Sequence, residues 1–565
     1  MAGEIEAPVT IIPGDQSAAA ARWQRWLAAV VNPIKASTRA DKISVLMITI
    51  ISLLSTFLMW GRLEFSACGD GPTYLYGARS ILQSGHYLSP SGSTQTMFPP
   101  GYPLSVLLFY PVTGDWQAAG RLVSILSSAF GVLLLFWIAR RIWQTVPALV
   151  AALALAVLPY RLVLGGEVCS EPLYVMLLLA AILLWVRPTA APGKAAGFGV
   201  FAALAYLVRP EGLLPMGCMM LRNLALKDLS LKKRLLTTGI ALAALFITAL
   251  PYLVWLHGHT GSWSLSNKLM INRQEGWVFS QGASWHTRTW LDDQGVSHKL
   301  YNKPGFKPPS PAILVRGNLH QIWDSTVAIL GGVPEGLAGK GSILPAIVVG
   351  IGVLSVLLPL GKNRTGYASR SLLMLSFLAP LASLLLIRVA PRLLIVPMTG
   401  ALLGLAGLVN IGWERKETRV GRWALVGTGL VLLVVSLPIL RGFRAAEMLQ
   451  DWPGEKKLAA WMVSHNLPAG RMVAGRNDLI YRLQVPCDVC PSSGSLEGLI
   501  NFARKRGARY IMLTNRQKID PRRLPLMTER ALPGLRRVTA IEEAEHKVVL
   551  WEVAPAPAHD SSLHW

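Results

Sequence analysis

Between residues 43 and 440 the chain returns again and again to apolar stretches of about 20 residues, and this recurrence limits what it can fold into. A helix of that length crosses a hydrocarbon core of about 30 Å and satisfies its own backbone polar groups there. The polar remainder is small: charged residues make up 15% of the 565-residue chain, against about 25% in soluble domains. Mean hydropathy is +0.42. The reading is a mainly α, polytopic membrane protein of about eleven transmembrane helices, with outward-facing amphipathic helices and a C-terminal extracytoplasmic α/β domain. Spans are expected at about 43–60, 117–139, 144–164, 171–186, 195–208, 211–222, 235–256, 342–360, 371–388, 392–412 and 423–440. RPEG interrupts the apolar stretch near 195–222, which can also be divided differently.

The formal net charge is +24. In a soluble chain that excess would point to nucleic acid; in a membrane chain, lysine and arginine gather in cytoplasmic loops. With the amino terminus inside, ARRIW, VRPTAAPGK, LRNLALKDLSLKKR, GKNRTGYASR and WERKETRVGR all fall on one side, and every one is basic. The loops on the other side, LGGEVCSEP, LVRPEG and IRVAPR, are poorer in cations and richer in acids. The excess is therefore read as topology, and nucleic acid is not an expected partner. Residues 1–41 are expected to form a cytoplasmic tail without a cleavable leader, with ARWQRWLAAVV lying on the membrane surface. Residues 42–440 are the membrane module, with outer loops at 61–116 and 257–341, and 441–565 the outer domain. In that domain EKKLAAWMVSHNL and LEGLINFARKRG read as helices, and RMVAG, ARYIMLTNR and HKVVLWEVA as strands. The cations Arg504, Lys505, Arg506 and Arg509 read as a solvated helix end. The expected location is a bacterial-type plasma (inner) membrane.

Five cysteines are present. Cys68, Cys169 and Cys218 are scattered and read as packing residues. Cys487 and Cys490 form C-x-x-C without a second pair or paired histidines, which disfavours zinc and favours a structural disulfide.

The candidate functional residues collect on the acidic side. In GDGPTYLYGA, Asp70 precedes Gly-Pro, a good helix opening, so it reads either as a helix cap or as a carboxylate facing an outer cavity. A carboxylate so placed deprotonates a hydroxyl or binds a metal. MFPPGYP reads as a rigid turn back into the membrane. Glu167 and Glu171 flank the fourth span, Arg209 and Glu211 stand in LVRPEG, and Arg388 and Arg392 in LIRVAPRLLIVP. Taken singly these are caps, ion pairs or snorkelling anchors; the topology gathers them on one face. No acid falls at the middle of an expected span, which argues against an ion-coupled transporter.

The order GDGPTYLYGA, PPGYP, SEPLY, RPEG and APRLLIVP, followed by an outer α/β domain, resembles the GT-C membrane glycosyltransferases. The similarity is to the branch of protein O-mannosyltransferases and the aminoarabinose transferase of lipid A, and it covers nearly the whole chain in layout. The resemblance implies transfer of a sugar from a polyprenyl-phosphate donor to an acceptor lipid, glycan or protein, with inversion. It implies Asp70 as general base and Glu171 as the acid that orients donor or acceptor. Arg209, Arg392 and Lys268 are the outward cations for the donor phosphate; Tyr74, Glu167 and Glu211 complete the pocket. Many relatives carry two adjacent acids in the first loop; here Asp70 stands between glycines with Glu64 six residues earlier, so a divalent cofactor, Mg or Mn, is left open. Two other readings stay beside this one. A lipid-linked sugar flippase would show inverted repeats and broken helices, which the sequence does not display. A polysaccharide ligase or polymerase would take a diphosphate-linked donor.

Overall fold

The computed structural model describes residues 38–60, 70–187, 189–281, 289–302, 305–331, 364–387, 389, 391–414, 417–419, 453–468, 470–474, 485–491, 493–515, 519–543 and 546–555. The expected spans at 342–360 and 423–440 lie outside them, as do the tail helix, Glu64, Cys68 and Arg388. The other nine expected spans are all helical. They correspond to α1 (Arg39–Trp60), α4 (Trp116–Ile142), α5 (Thr145–Ala156) with α6 (Pro159–Gly166), α7 (Ser170–Trp185), α8 (Pro192–Val208), α9 (Leu213–Ala225), α10 (Leu231–Thr260), α13 (Arg364–Leu384) and α14 (Ile395–Glu414). Two further helices, α2 (Gly71–Ser84) and α3 (Gly101–Thr113), precede α4; α11 (Asn267–Phe279) and α12 (Pro311–Gly331) follow α10. Among the described residues four helices are long and apolar enough to cross a membrane, or five if the bent pair counts as one. Helices α7 and α8 are apolar but shorter.

The chain forms two compact units, Met1–Met47 and Ile48–Trp565. The described part of the first opens α1 with a reciprocal cap: Thr38 N–H donates to Asp41 Oδ2 at 3.0 Å and Asp41 N–H to Thr38 Oγ1 at 3.1 Å.

In the second unit, the span expected at 144–164 is broken, with α5 and α6 bent by 62°. Pro159 explains the break. It has no N–H to continue the ladder, and it pushes Leu158 to extended backbone. Arg161, buried, donates to the Ala156 carbonyl at 2.9 Å and also contacts Ser52, so the carbonyl at the end of α5 has a partner. A break was not expected from the sequence. At one end of the helices, arginines do the same work for α7 and α9. Arg222 donates to the carbonyls of Trp185 (3.0 Å) and Val186 (2.7 Å), Arg141 to Leu183, and Arg234 to Leu224. The basic loops thus cap helix C-termini as well as carrying charge.

Small residues bring α8 onto α10. A Cβ added at Gly199 would stand 2.2 Å from the Ala241 carbonyl oxygen, and Ala195, Ala202 and Ala203 beside it are buried.

The C-terminal part is a six-stranded mixed sheet in the order β4-β3-β5-β8-β7-β6. β3 (Met472–Ala474) runs parallel to β4 (Cys487–Val489) and β5 (Tyr510–Thr514). β8 (His546–Val553), β7 (Leu535–Glu543) and β6 (Ala531–Leu532) continue antiparallel. Alternation sorts the side chains. Met472, Ala474, Tyr510, Met512, Val548 and Leu550 pack under α15 (Pro453–Ser464). Val473, Ile511, Leu513, Val549 and Trp551 pack under α16 (Leu496–Lys505). That helix ends at Gly507, whose φ of 63° is the left-handed cap that glycine adopts without strain. The basic residues after it are paired: Arg509 with Glu552 at 3.1 Å and Arg506 with Asp488 at 3.8 Å.

The expected Cys487–Cys490 disulfide does not join these two residues. Cys487 lies on the face under α15 and Cys490 on the face under α16, so the sheet itself separates them.

Two loops between the membrane helices are built into this domain. A hairpin from the long loop, β1 (Thr289–Leu291) and β2 (Ser297–Lys299), bonds through Leu291 N–H to the Ser493 carbonyl at 2.9 Å and buries Leu291 in the sheet's core. From the first loop, the Pro90 carbonyl accepts from Cys487 N–H at 3.1 Å, and Tyr76 of α2 packs on the other face.

We expect Gly199→Leu to lose folded protein. Overpacking of this kind typically costs about 1–3 kcal/mol, and here the added atoms meet backbone. A lower melting temperature in detergent checks it; an unchanged one would show that α8 and α10 can part.

Candidate active site

Five charged side chains meet at the ends of five different segments, and each end has a local cause. Asp70 stands immediately before α2, with Pro72 early in that helix. Its backbone is already helical, φ −89° and ψ −16°, so its carboxylate makes no cap bond; the capping reading of the side chain fails for that reason. Its carbonyl still accepts from Tyr74 N–H at 3.1 Å. Glu171 is the second residue of α7. Arg209 follows α8 in extended backbone, as a residue before proline must. Glu211 lies in the 3-10 turn Pro210–Gly212, and Arg392 in the 3-10 turn Pro391–Leu394 that leads into α14.

Acids and cations alternate. Arg392 Nη1 is 2.7 Å from Asp70 Oδ2, and its Nε 3.6 Å from Glu171 Oε1. Arg209 Nη1 contacts the same Glu171 oxygen, and its Nη2 is 3.5 Å from Glu211 Oε1. Burial is graded along this row. Glu171 is 1% and Arg209 3% exposed, whereas Asp70 is 21% and Arg392 16% exposed. The middle is therefore a structural pair, and the row's two ends, Asp70–Arg392 and Glu211 (18% exposed), are what an incoming molecule can reach.

Lys268, the second residue of α11, is buried beside the row with Nζ 4.5 Å from the centre of the Phe98 ring. Among the described residues no carboxylate lies within ion-pair distance of it. Burial pulls its pKa below the usual lysine range, Arg209 adds to this, and Asp70 and Glu211 oppose it. Burial alone would lower Arg209, but Glu171 and Glu211 outweigh it and hold that guanidinium above its ordinary value.

Residues that sequence reasoning did not assign complete the setting. The Cys169 thiol donates to Glu171 Oε2 at 2.7 Å; it is not merely a packing residue. Ser170 Oγ links three groups: Tyr74 OH at 3.1 Å, Arg209 Nη1 at 3.3 Å and Glu171 Oε2 at 3.4 Å. Tyr74 packs between Phe98 and Tyr102, with ring centres 5.3 and 5.1 Å away. Phe98 and Tyr102 come from the MFPPGYP turn, so that turn supplies a wall of the site. Its three prolines and two aromatics were the available signal. Tyr102 OH meets Ser124 Oγ at 2.9 Å, and Ser124 donates to the Cys169 carbonyl at 3.1 Å. Thus Asp70, Glu171, Arg209, Arg392, Lys268, Tyr74 and Glu211 come together. Glu167 is buried at the C-terminal end of α6.

The cluster does not fit a divalent cation as it stands. Asp70, Glu171 and Glu211 are each opposed by a guanidinium. Among the described residues no three His, Cys, Asp or Glu side chains gather as metal ligands.

Residues 98–255 match the family described as dolichyl-phosphate-mannose-protein mannosyltransferase. In structure, the chain is similar to the oligosaccharyltransferase AglB of Archaeoglobus fulgidus in complex with an inhibitory peptide and a dolichol-phosphate, at TM-score 0.55 and 12% identity, over 84% of this chain and 70% of that one. The chain has the GT-C membrane glycosyltransferase fold. ArnT of Cupriavidus metallidurans bound to undecaprenyl phosphate aligns over 90% of this chain and 97% of its own, at TM-score 0.49 and 14% identity. No curated protein matches the sequence. The family match takes in Glu171, Arg209 and Glu211. Asp70, Lys268 and Arg392 lie outside it, so their place in the cluster rests on the geometry.

Glu171→Ala should destabilise the protein by about 3–5 kcal/mol, because it leaves Arg209 buried without its partner. Thermal unfolding measures this, and adding Arg209→Met should return part of the loss. An additive double variant would show that the two charges are not coupled.

Proposed function

We propose that this chain is a glycosyltransferase that moves a sugar from a polyprenyl phosphate to an acceptor hydroxyl at the extracytoplasmic face. The observation that carries the reading is the reachable Asp70–Arg392 end of the ion-pair row, with Lys268 beside it. It offers a carboxylate and two cations at one place, as transfer from a sugar phosphate requires. The GT-C fold and the dolichol-phosphate bound to AglB support a lipid-linked donor.

In the proposed reaction Asp70 takes the proton of the acceptor hydroxyl. The oxygen attacks the anomeric carbon, the bond from that carbon to the phosphate oxygen breaks, and its electron pair leaves with the phosphate. One displacement inverts the carbon. Phosphate is a good leaving group, so no general acid is needed; positive charge is, and Lys268 and Arg392 supply it. Arg209 is too committed to Glu171 to leave it, and in this reading it holds Glu171 in place. Glu211 keeps one buried oxygen, Oε2, without a hydrogen-bond partner among the described residues, an acceptor for a sugar hydroxyl. The lipid chain would lie among the helices while its head group enters the cluster. The broken α5–α6 pair does not favour a flippase, because Arg161 already takes the carbonyl at the break.

Asp70→Asn tests the base. Transfer should fall by about 10²–10⁴-fold while melting temperature and polyprenyl-phosphate binding persist. Mass spectrometry of cells lacking the gene should show an accumulating polyprenyl phosphate sugar, which would also identify the donor. Undiminished transfer by the variant would remove Asp70 from the chemistry.

A further inference from the structure

We propose that the donor uncovers its own base. Arg392 covers Asp70 in the ligand-free protein and exchanges it for the donor phosphate, so that the donor must bind before the acceptor can be deprotonated. The inference rests on the glycosyltransferase reading.

Three observations carry it. Arg392 Nη1 sits 2.7 Å from Asp70 Oδ2, and among the described residues that oxygen has no hydrogen-bond partner, so the contact is one of charge without an aligned N–H. A phosphate offers a guanidinium two aligned bonds, a stronger arrangement than this one. Next, Arg392 does not depend on Asp70 for its place, because its Nε also lies 3.6 Å from Glu171, which Arg209 anchors. The guanidinium can release the exposed acid and keep the buried one. Finally, Lys268 is buried nearby with no carboxylate at ion-pair distance among the described residues, so a phosphate can settle there and draw Arg392 across.

With the exchange made, Asp70 Oδ2 is open to an acceptor proton. Without it, the oxygen faces a cation and the site is at rest.

The test is a binding cycle on the full chain in lipid nanodiscs, with sugar-free undecaprenyl phosphate as probe. If Asp70 and phosphate compete for Arg392, Asp70→Asn should tighten binding by about three- to tenfold, the weight of a partly exposed ion pair. In an Arg392→Gln background the same substitution should change affinity less than about twofold. In a Lys268→Gln background, which serves if Arg392→Gln does not fold, the tightening should remain. Equal tightening with and without Arg392 would mean simple repulsion between Asp70 and phosphate, and would overturn the exchange. So would no tightening with Arg392 present, or its loss on removing Lys268. Failure of every variant and the native chain to bind the probe would overturn the donor reading as well.

Discussion

The buried pair of Glu171 and Arg209 is the interaction on which the site depends. Two charges so deeply buried each face a desolvation cost of several kcal/mol, and only close mutual contact with further hydrogen bonds offsets it. Here those bonds run from Cys169 and Ser170 to Glu171, and from Arg209 to Ser170. The pair fixes the start of α7 against the end of α8. Once it is in place, Arg392 on one side and Glu211 on the other have partners whose positions are settled. Removing either member of the pair therefore disturbs folding and function together, whereas Asp70 at the exposed end can be altered with less structural consequence. That difference decides which substitution reports on chemistry.

The site is also held from outside the helices. Asp70 begins α2, and Tyr76 of the same helix packs against the C-terminal sheet. Lys268 begins α11, and the hairpin that follows in the same loop places Leu291 in the core on the sheet's other side. The two loops that deliver a carboxylate and a lysine are thus both fastened to one domain. A rigid sheet is a better reference for such groups than long loops left to themselves, since ordering a loop costs about 1–2 kcal/mol per residue. The C-terminal domain then acts on the site by positioning its loops, whether or not it also meets the acceptor.

Much of this was legible in the sequence, for reasons that can be named. Long apolar runs have one solution in a bilayer, so the nine expected spans among the described residues fell on helices. Short continuous apolar runs, as in YIMLT and HKVVLWEV, read as strands covered on both faces. The charged site residues were legible because charge in an apolar chain demands a reason. The misses share a cause as well. Pro159 breaks a helix within an unbroken apolar run, where hydropathy carries no signal about backbone hydrogen bonds. The C-x-x-C spacing says nothing of which sheet face each sulfur meets. Cys169, Phe98 and Tyr102 look like packing, and only contact with Glu171, Lys268 and Tyr74 gives them another role.

The alternating row explains how a cluster of like residues can serve two purposes. Ion pairs of equal burial would be either all structural or all labile. Grading the burial from Glu171 outward separates these roles within a single chain of contacts. The inner pair is expensive to part and keeps the geometry; the outer pair is screened by solvent and can exchange partners for an anion. Arg392 belongs to both, being within reach of Glu171 and Asp70 at once. A guanidinium suits that position better than an ammonium, because its planar fork can keep one acid through one nitrogen while another nitrogen changes partner. By the same reasoning Lys268, a compact point charge over an aromatic ring, suits the place where the phosphate of the proposed donor would first arrive, since among the described residues it gives up no ion pair to receive it.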